Sequence, residues 1–199
     1  ISDPVLATLN MQLAAEATGN VSFQFGQRVT AISKASPSGR ISGVALEDGS
    51  RISAPVVVNV AGPHSSRVTA MAFEGLDPEL NDMKIMTRPL RQEVAYLRAP
   101  PGSDPALAED GFAVPAMLDI DTGVYMRPEV GGKILIGSVE PECDFPLEFV
   151  EDPDTGNPSL TDSHTNYAYR AALRMPGLAL PSAADTQGVV AYYDVTEDW

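Results

Sequence analysis

Cysteine, tryptophan and histidine are nearly missing from this chain of 199 residues, which has one cysteine, Cys143, one tryptophan and two histidines. A single thiol excludes an internal disulfide framework and fits a reducing compartment, so a cytoplasmic location is expected. His64 and His164 lie far apart in sequence and have no second cysteine to join, so no metal site is expected. Basic charge is scarce too: 13 Lys and Arg face 27 Asp and Glu, for a net charge of −14. Such a chain repels phosphate backbones and anionic membrane surfaces, which excludes nucleic acid and membrane as natural partners. No apolar run approaches the roughly 18 residues that a membrane helix needs, and no basic stretch followed by an apolar one marks the N-terminus.

What the chain does have is a hydrophobic share of 44%, ordinary for a globular protein, and patterning of two kinds. Asp3-Pro4 opens a helix in which Val5, Leu6, Leu9, Leu13 and Ala17 recur at helical spacing until Gly19-Asn20. Short strands are expected over 21–25, 28–33 and 41–46, and Asp48-Gly49 is a turn. Val56 to Val60 is a continuous apolar run of the kind found in a central strand covered on both faces. A helix follows over 67–73, capped by Ser65 or Ser66. Beyond Gly75 the character changes to long extended segments, 84–98, 111–120, 124–127 and 133–139, separated by polar loops at 100–110 and 140–158, as in an antiparallel sheet. Thr161 or Asp162 starts a helix that ends near Arg174, and 188–195 is a last extended stretch.

Several constellations fail on their spacing. Asp152 to Asn157 begins like a calcium loop, but Ser163 stands where a bidentate Glu is needed, so a solvated acidic loop is expected. The serines have no histidine at a recognisable hydrolase spacing. Met83, Met86, Met117 and Met126 read as core filler. The richest segment is Val56 to Ser66. A strand that ends in Ala61-Gly62 delivers bare backbone to a sheet edge, where an anionic ligand can approach peptide N–H groups. A tight strand-to-helix turn that merely needs glycine accounts for the same spacing.

Six stretches, in order along nearly the whole chain, resemble the D-amino-acid oxidase superfamily of FAD enzymes, and within it the sarcosine and dimethylglycine oxidases and dehydrogenases. They are Arg28-Val29-Thr30-Ala31-Ile32, Gly43-Val44 with Asp48-Gly49, Ala54 to Ser65, Arg88-Pro89-Leu90-Arg91-Gln92, Gly123 to Pro128 with Gly131-Gly132, and Tyr192 to Asp198. The resemblance implies that Val29 meets the adenine of FAD and that Ala61, Gly62 and Pro63 lie along its ADP part. It places Arg91, Tyr125, Arg127 and Tyr193 around the substrate: a guanidinium for a carboxylate, and an aromatic wall for an amine that must be neutral to donate hydride. No catalytic residue is assigned. The family's Gly-x-Gly-x-x-Gly loop, which seats the pyrophosphate on a helix N-terminus, has no counterpart in this sequence, so the chain alone is expected to hold FAD poorly. Ala191 stands where some sarcosine oxidases attach the flavin through cysteine.

An α+β fold is therefore expected, in which an antiparallel or mixed sheet forms a substrate domain attached to part of a Rossmann-like FAD-binding domain. The expected bounds are 1–74 for the partial FAD domain, 75–187 for the substrate domain and 188–199 for the return to the FAD domain. The chain reads as an internal fragment, inactive by itself, whose partners are a small amine or amino acid and the rest of its own polypeptide. The expected reaction of the whole is oxidation of a C–N bond by hydride transfer to flavin. The alternative is a non-catalytic, acidic, β-rich binding module that keeps the fold without the cofactor.

Overall fold

The computed structural model describes residues 3–36, 38–75, 85–100, 116–129, 131–139, 147–178, 180 and 187–196. Cys143, Met83, residues 84, 111–115 and 197–198 of the stretches expected above, and residues 101–110 and 140–146 of the two polar loops lie outside the described residues. The chain divides into two compact units, Ser2–Thr87 and Arg88–Trp199.

In the first unit, helix α1 (Pro4–Ala17) starts where the sequence says it should. The Asp3 carboxylate accepts a hydrogen bond from the Leu6 amide at 2.9 Å, and Pro4 occupies a first-turn position where no N–H is needed. Strands β1 (Val29–Lys34), β2 (Ile41–Leu46) and β3 (Arg51–Ser53) form an antiparallel meander in the order β1-β2-β3. The β2–β3 turn is closed by the Asp48 carboxylate, which accepts from the Ser50 amide at 2.8 Å, while Gly49 supplies φ 84°. A 3-10 turn (Gly62–His64) leads into helix α2 (Ser65–Phe73), which packs on β1.

Three expectations for this unit need correction. Residues 21–25 form no strand; Phe23 and Phe25 instead stack on each other with ring centroids 5.9 Å apart. Residues 56–60 are not a covered central strand either, since Val56, Val58 and Val60 are 71%, 75% and 85% exposed. A strand exists only through the neighbours that take its backbone hydrogen bonds, and no described strand runs beside either segment. No serine caps α2. Its N-cap is His64, and the Ser66 hydroxyl donates to the Thr87 carbonyl at 2.6 Å while accepting from the Thr87 amide at 3.1 Å.

The second unit is a six-stranded sheet covered on one face by a helix. Strands β4 (Thr87–Arg98), β5 (Met117–Asp119), β6 (Val124–Glu129), β7 (Lys133–Ser138) and β8 (Glu148–Phe149) lie in the order β5-β6-β7-β4-β8, and β9 (Gln187–Thr196) also pairs with β4. The pairings among β4 to β8 are antiparallel, so the α+β class with an antiparallel sheet holds. Gly131 and Gly132, both at positive φ, close the β6–β7 hairpin. Ala95, Leu97, Val124, Met126, Ile134 and Ile136 point to the same side and meet Tyr167, Ala168 and Ala171 of helix α3 (Ser163–Arg174). At the far end of α3, Arg174 bridges to Asp119 at 2.5 Å and Asp121 at 2.6 Å on the β5–β6 turn.

The N-terminus of α3 is fixed by a buried ion pair. Arg91 and Glu93, only 6% and 2% exposed, bond at 2.8 Å, and the Glu93 carboxylate also accepts from the Thr161 amide at 2.9 Å and the His164 amide at 3.4 Å. Burial is the largest influence on Glu93 and would raise its pKa. The hydrogen bonds from Arg91 and Thr161 outweigh it and hold the carboxyl below its ordinary 4.5.

Glu93→Ala is expected to destabilise the chain by about 3 kcal/mol in urea unfolding, because it leaves the buried Arg91 guanidinium with only the more exposed Glu148 carboxylate as countercharge. A carboxyl whose pKa is lowered in the fold stabilises fully above its unfolded value and loses that contribution as pH falls through the folded one. Wild-type stability should therefore drop as pH falls below 4.5, and the drop should be shallower in Glu93→Gln.

Candidate functional site

Alternation along β6 sends Val124 and Met126 into the core under α3 and Tyr125, Arg127 and Glu129 to the opposite face. Register across the sheet then fixes what stands beside them. Tyr125 lies opposite Gly137 of β7, which lies opposite Val94 of β4; Arg127 lies opposite Leu135, which lies opposite Tyr96. From β9, Tyr193 brings its hydroxyl to 3.3 Å from that of Tyr125. Arg127 is half-exposed and pairs with Glu129 at 3.1 Å.

Burial raises the Tyr125 phenol well above its ordinary 10.0, and the hydrogen bond with Tyr193 raises it further; the nearby Arg127 charge acts the other way. Tyr125 is therefore neutral throughout the physiological range and serves as a hydrogen-bonding hydroxyl, not as a base. Two linked phenols beside a guanidinium can recognise a small molecule that carries both an anionic group and a polar centre flanked by apolar substituents.

Of the four substrate-side residues expected from the sequence, the structure brings together Tyr125, Arg127 and Tyr193. Arg91 is not with them. It shares its side of β4 with Glu93, Ala95 and Leu97, the side that faces α3. All three guanidinium nitrogens are engaged with protein: Nε with the Asn157 carbonyl at 3.0 Å, Nη1 with Glu93 and with Glu148 at 3.2 Å, and Nη2 with the Ser159 carbonyl. The geometry makes Arg91 an anchor for the 157–161 loop, with four of its five N–H donors given to protein groups.

On the first unit, Val29 opens β1 opposite Leu46, and Ala61, Gly62 and Pro63 form the turn before α2; all four are half-buried. A residue that the sequence reading passed over shapes this turn. The Asn59 side chain donates to the Ser65 carbonyl at 2.9 Å and to the Thr69 hydroxyl at 3.1 Å, and accepts from the Ala61 amide at 3.2 Å. Gly62 adopts φ 53°, and a Cβ built on it would meet nothing within 4 Å. Glycine is needed there for its backbone conformation, and the space beside it is open to a ligand that approaches the main chain. The turn thus presents open main chain of the kind that an anionic group can approach.

Tyr96, Gly137 and Glu129 were also passed over. The usable signal was the alternation in Gln92-Glu93-Val94-Ala95-Tyr96-Leu97, which assigns Tyr96 to the face opposite Leu97, but only once the core side of β4 is known. Among the described residues no helix is long and apolar enough to cross a membrane.

Comparison with known proteins extends these findings. The model of the DAO family, described as FAD dependent oxidoreductase, matches residues 1–195. No curated protein matches the chain. Solved structures of similar fold include iminodiacetate oxidase from Chelativorans sp. BNC1, at 15% identity and a TM-score of 0.58 over 93% of this chain and 41% of that one. A modified fructosyl peptide oxidase from Aspergillus nidulans is similar at 17% identity and 0.60, over 92% and 42%. Fructosamine oxidase (Amadoriase II) from Aspergillus fumigatus is similar at 16% and 0.53, over 85% and 37%. At these identities the likeness is one of fold, and the chain spans about two fifths of the length of these proteins.

Tyr193→Phe removes one hydroxyl and its hydrogen bond, so the Tyr125 phenol should titrate closer to 10.0, as read by ultraviolet difference absorbance against Tyr125→Phe. Asn59→Ala should cost roughly 0.5–1.5 kcal/mol and speed hydrogen exchange at the Ala61 amide, which loses its acceptor.

Proposed function

The chain belongs to the DAO family of FAD-dependent oxidoreductases, and from that membership we propose that the complete protein oxidises the C–N bond of a small secondary or tertiary amine bearing a carboxylate, such as an N-methylated amino acid. The observation that carries this reading is the grouping of Tyr125, Tyr193 and Arg127 on the face of the sheet turned away from α3. A guanidinium on a strand takes a carboxylate in two parallel hydrogen bonds, and the paired phenols wall and orient the nitrogen. Solved proteins of this fold include ones named for iminodiacetate and for fructosamine, both amines, which agrees with the substrate class.

Within this proposal Ala61, Gly62, Pro63 and Val29 hold the adenosine-diphosphate half of FAD, in the open space beside Gly62. When bound, FAD supplies the acceptor for the hydride that leaves the carbon next to nitrogen. The chain's own residues prepare that event. Arg127 fixes the carboxylate end, and the Tyr125 and Tyr193 hydroxyls position the nitrogen in its neutral form, whose lone pair offsets the loss of hydride. Because the Tyr125 phenol stays protonated, it orients the amine without competing for its proton. Family membership weighs against the alternative of a non-catalytic binding module.

In the complete enzyme, Arg127→Ala should raise KM for a carboxylate-bearing amine by about 10- to 100-fold, the loss of a charge-assisted hydrogen-bond pair, and leave a neutral amine nearly untouched. Equal effects on both substrates would remove Arg127 from the carboxylate role. The complete protein should also purify yellow with flavin absorbance, whereas the 199-residue chain, which has no pyrophosphate loop, should lose added FAD on gel filtration.

A further inference from the structure

We infer that Gly137 is a positioning residue for the Tyr125–Tyr193 pair, a strand position kept free of a side chain so that the Tyr125 ring can lie across β7; the inference rests on the substrate role proposed above for that pair. Gly137 sits inside β7 between Ile136 and Ser138 and is buried. Glycine in a strand interior weakens it by roughly 0.5–1 kcal/mol, so a reason for its presence is required. Backbone conformation is not that reason. Unlike Gly131 and Gly132 of the neighbouring hairpin, Gly137 is not at positive φ, so any residue could adopt its conformation.

The reason is the ring opposite. A Cβ on Gly137 would stand 2.4 Å from Cζ of Tyr125, 2.5 Å from its hydroxyl oxygen and 2.6 Å from Cε1. Those are the atoms at the far end of the side chain, the end that carries the hydroxyl to Tyr193. A single methyl at 137 therefore lifts the hydroxyl end of Tyr125 off the sheet and separates the two phenols, while the foot of the ring and the backbone register, Tyr125 opposite Gly137, need not change. Covering a strand glycine with a cross-strand aromatic ring is a known packing device and phenylalanine would serve it equally well. In this chain the covering ring also bears a hydroxyl with a polar partner. The depth of the Tyr125 ring is thus set by a glycine outside the site itself.

The test compares wild type, Gly137→Ala, Tyr125→Ala and the double variant in the complete enzyme with a small carboxylate-bearing amine. Gly137→Ala is expected to raise KM by about tenfold or more, yet to change it by less than about twofold in the Tyr125→Ala background, where the methyl meets empty space. A single variant with unchanged KM, or the same KM effect in both backgrounds, overturns the inference. A second readout needs neither flavin nor substrate: in the 199-residue chain, Gly137→Ala should bring the Tyr125 phenol down towards 10.0, and an unmoved titration also overturns the inference. If Tyr125→Ala itself leaves KM and kcat unchanged, the substrate role of the pair fails, and the titration still decides whether Gly137 places the ring. Should Gly137→Ala not fold, restored folding in the double variant supports the inference and continued failure overturns it.

Discussion

Two charges withdrawn from water near the start of β4, Arg91 and Glu93, must find partners there or unfold the sheet around them. The partners come from everywhere the second unit has to be joined. Arg91 takes carbonyls at 157 and 159 and the Glu148 carboxylate of β8; Glu93 takes two amides at the start of α3. A pair of this kind contributes modestly against a well-packed apolar alternative, but removal of either member is costly, so it specifies an arrangement more than it strengthens one. Its consequence is that α3 lies on one chosen face of the sheet, and the candidate site is left with the other.

That division of faces follows from the two-residue period of a strand. On β4, positions 91, 93, 95 and 97 serve the core and α3, while 94 and 96 stand in the rows of Gly137 and Leu135, beside Tyr125 and Arg127. A slip of one residue would exchange the roles of Arg91 and Gln92 and of Tyr96 and Leu97, and would place a buried charge against the site. The ion network resists that slip at one end of β4, and the packing of Ala95 and Leu97 on α3 resists it at the other.

The same reasoning explains what was legible in the sequence. β1, β2, β6, β7 and α3 fall within a residue or two of their expected positions, because each finds its partner within this chain. Residues 56–60 read as a covered strand because their valines have that composition, yet composition reports the surroundings that a segment suits, not the ones among the described residues. For the site, the family resemblance supplied Tyr125, Arg127 and Tyr193, and strand alternation brings them to one face. It misassigned Arg91, because an arginine in a strand looks the same in sequence whichever face it occupies. Asn59 and Gly137 were missed for a different reason: one acts through a local turn and the other through the absence of a side chain, and neither leaves a periodic trace.

The two strand arginines also differ in what they can exchange. Arg91 is sealed beneath α3 with each donor nitrogen matched, so a substrate carboxylate could reach it only by breaking several buried hydrogen bonds at once. Arg127 is half-exposed, and its pair with Glu129 at 3.1 Å is of the solvent-screened kind worth about 0–1 kcal/mol. An incoming carboxylate can replace Glu129 there at small cost and in similar geometry. In a chain of net charge −14, the anionic substrate proposed above meets general repulsion, and its binding calls for a guanidinium that is held in place yet only weakly satisfied. In the role proposed for it Arg127 meets both requirements, and Glu129 is the carboxylate that a substrate displaces.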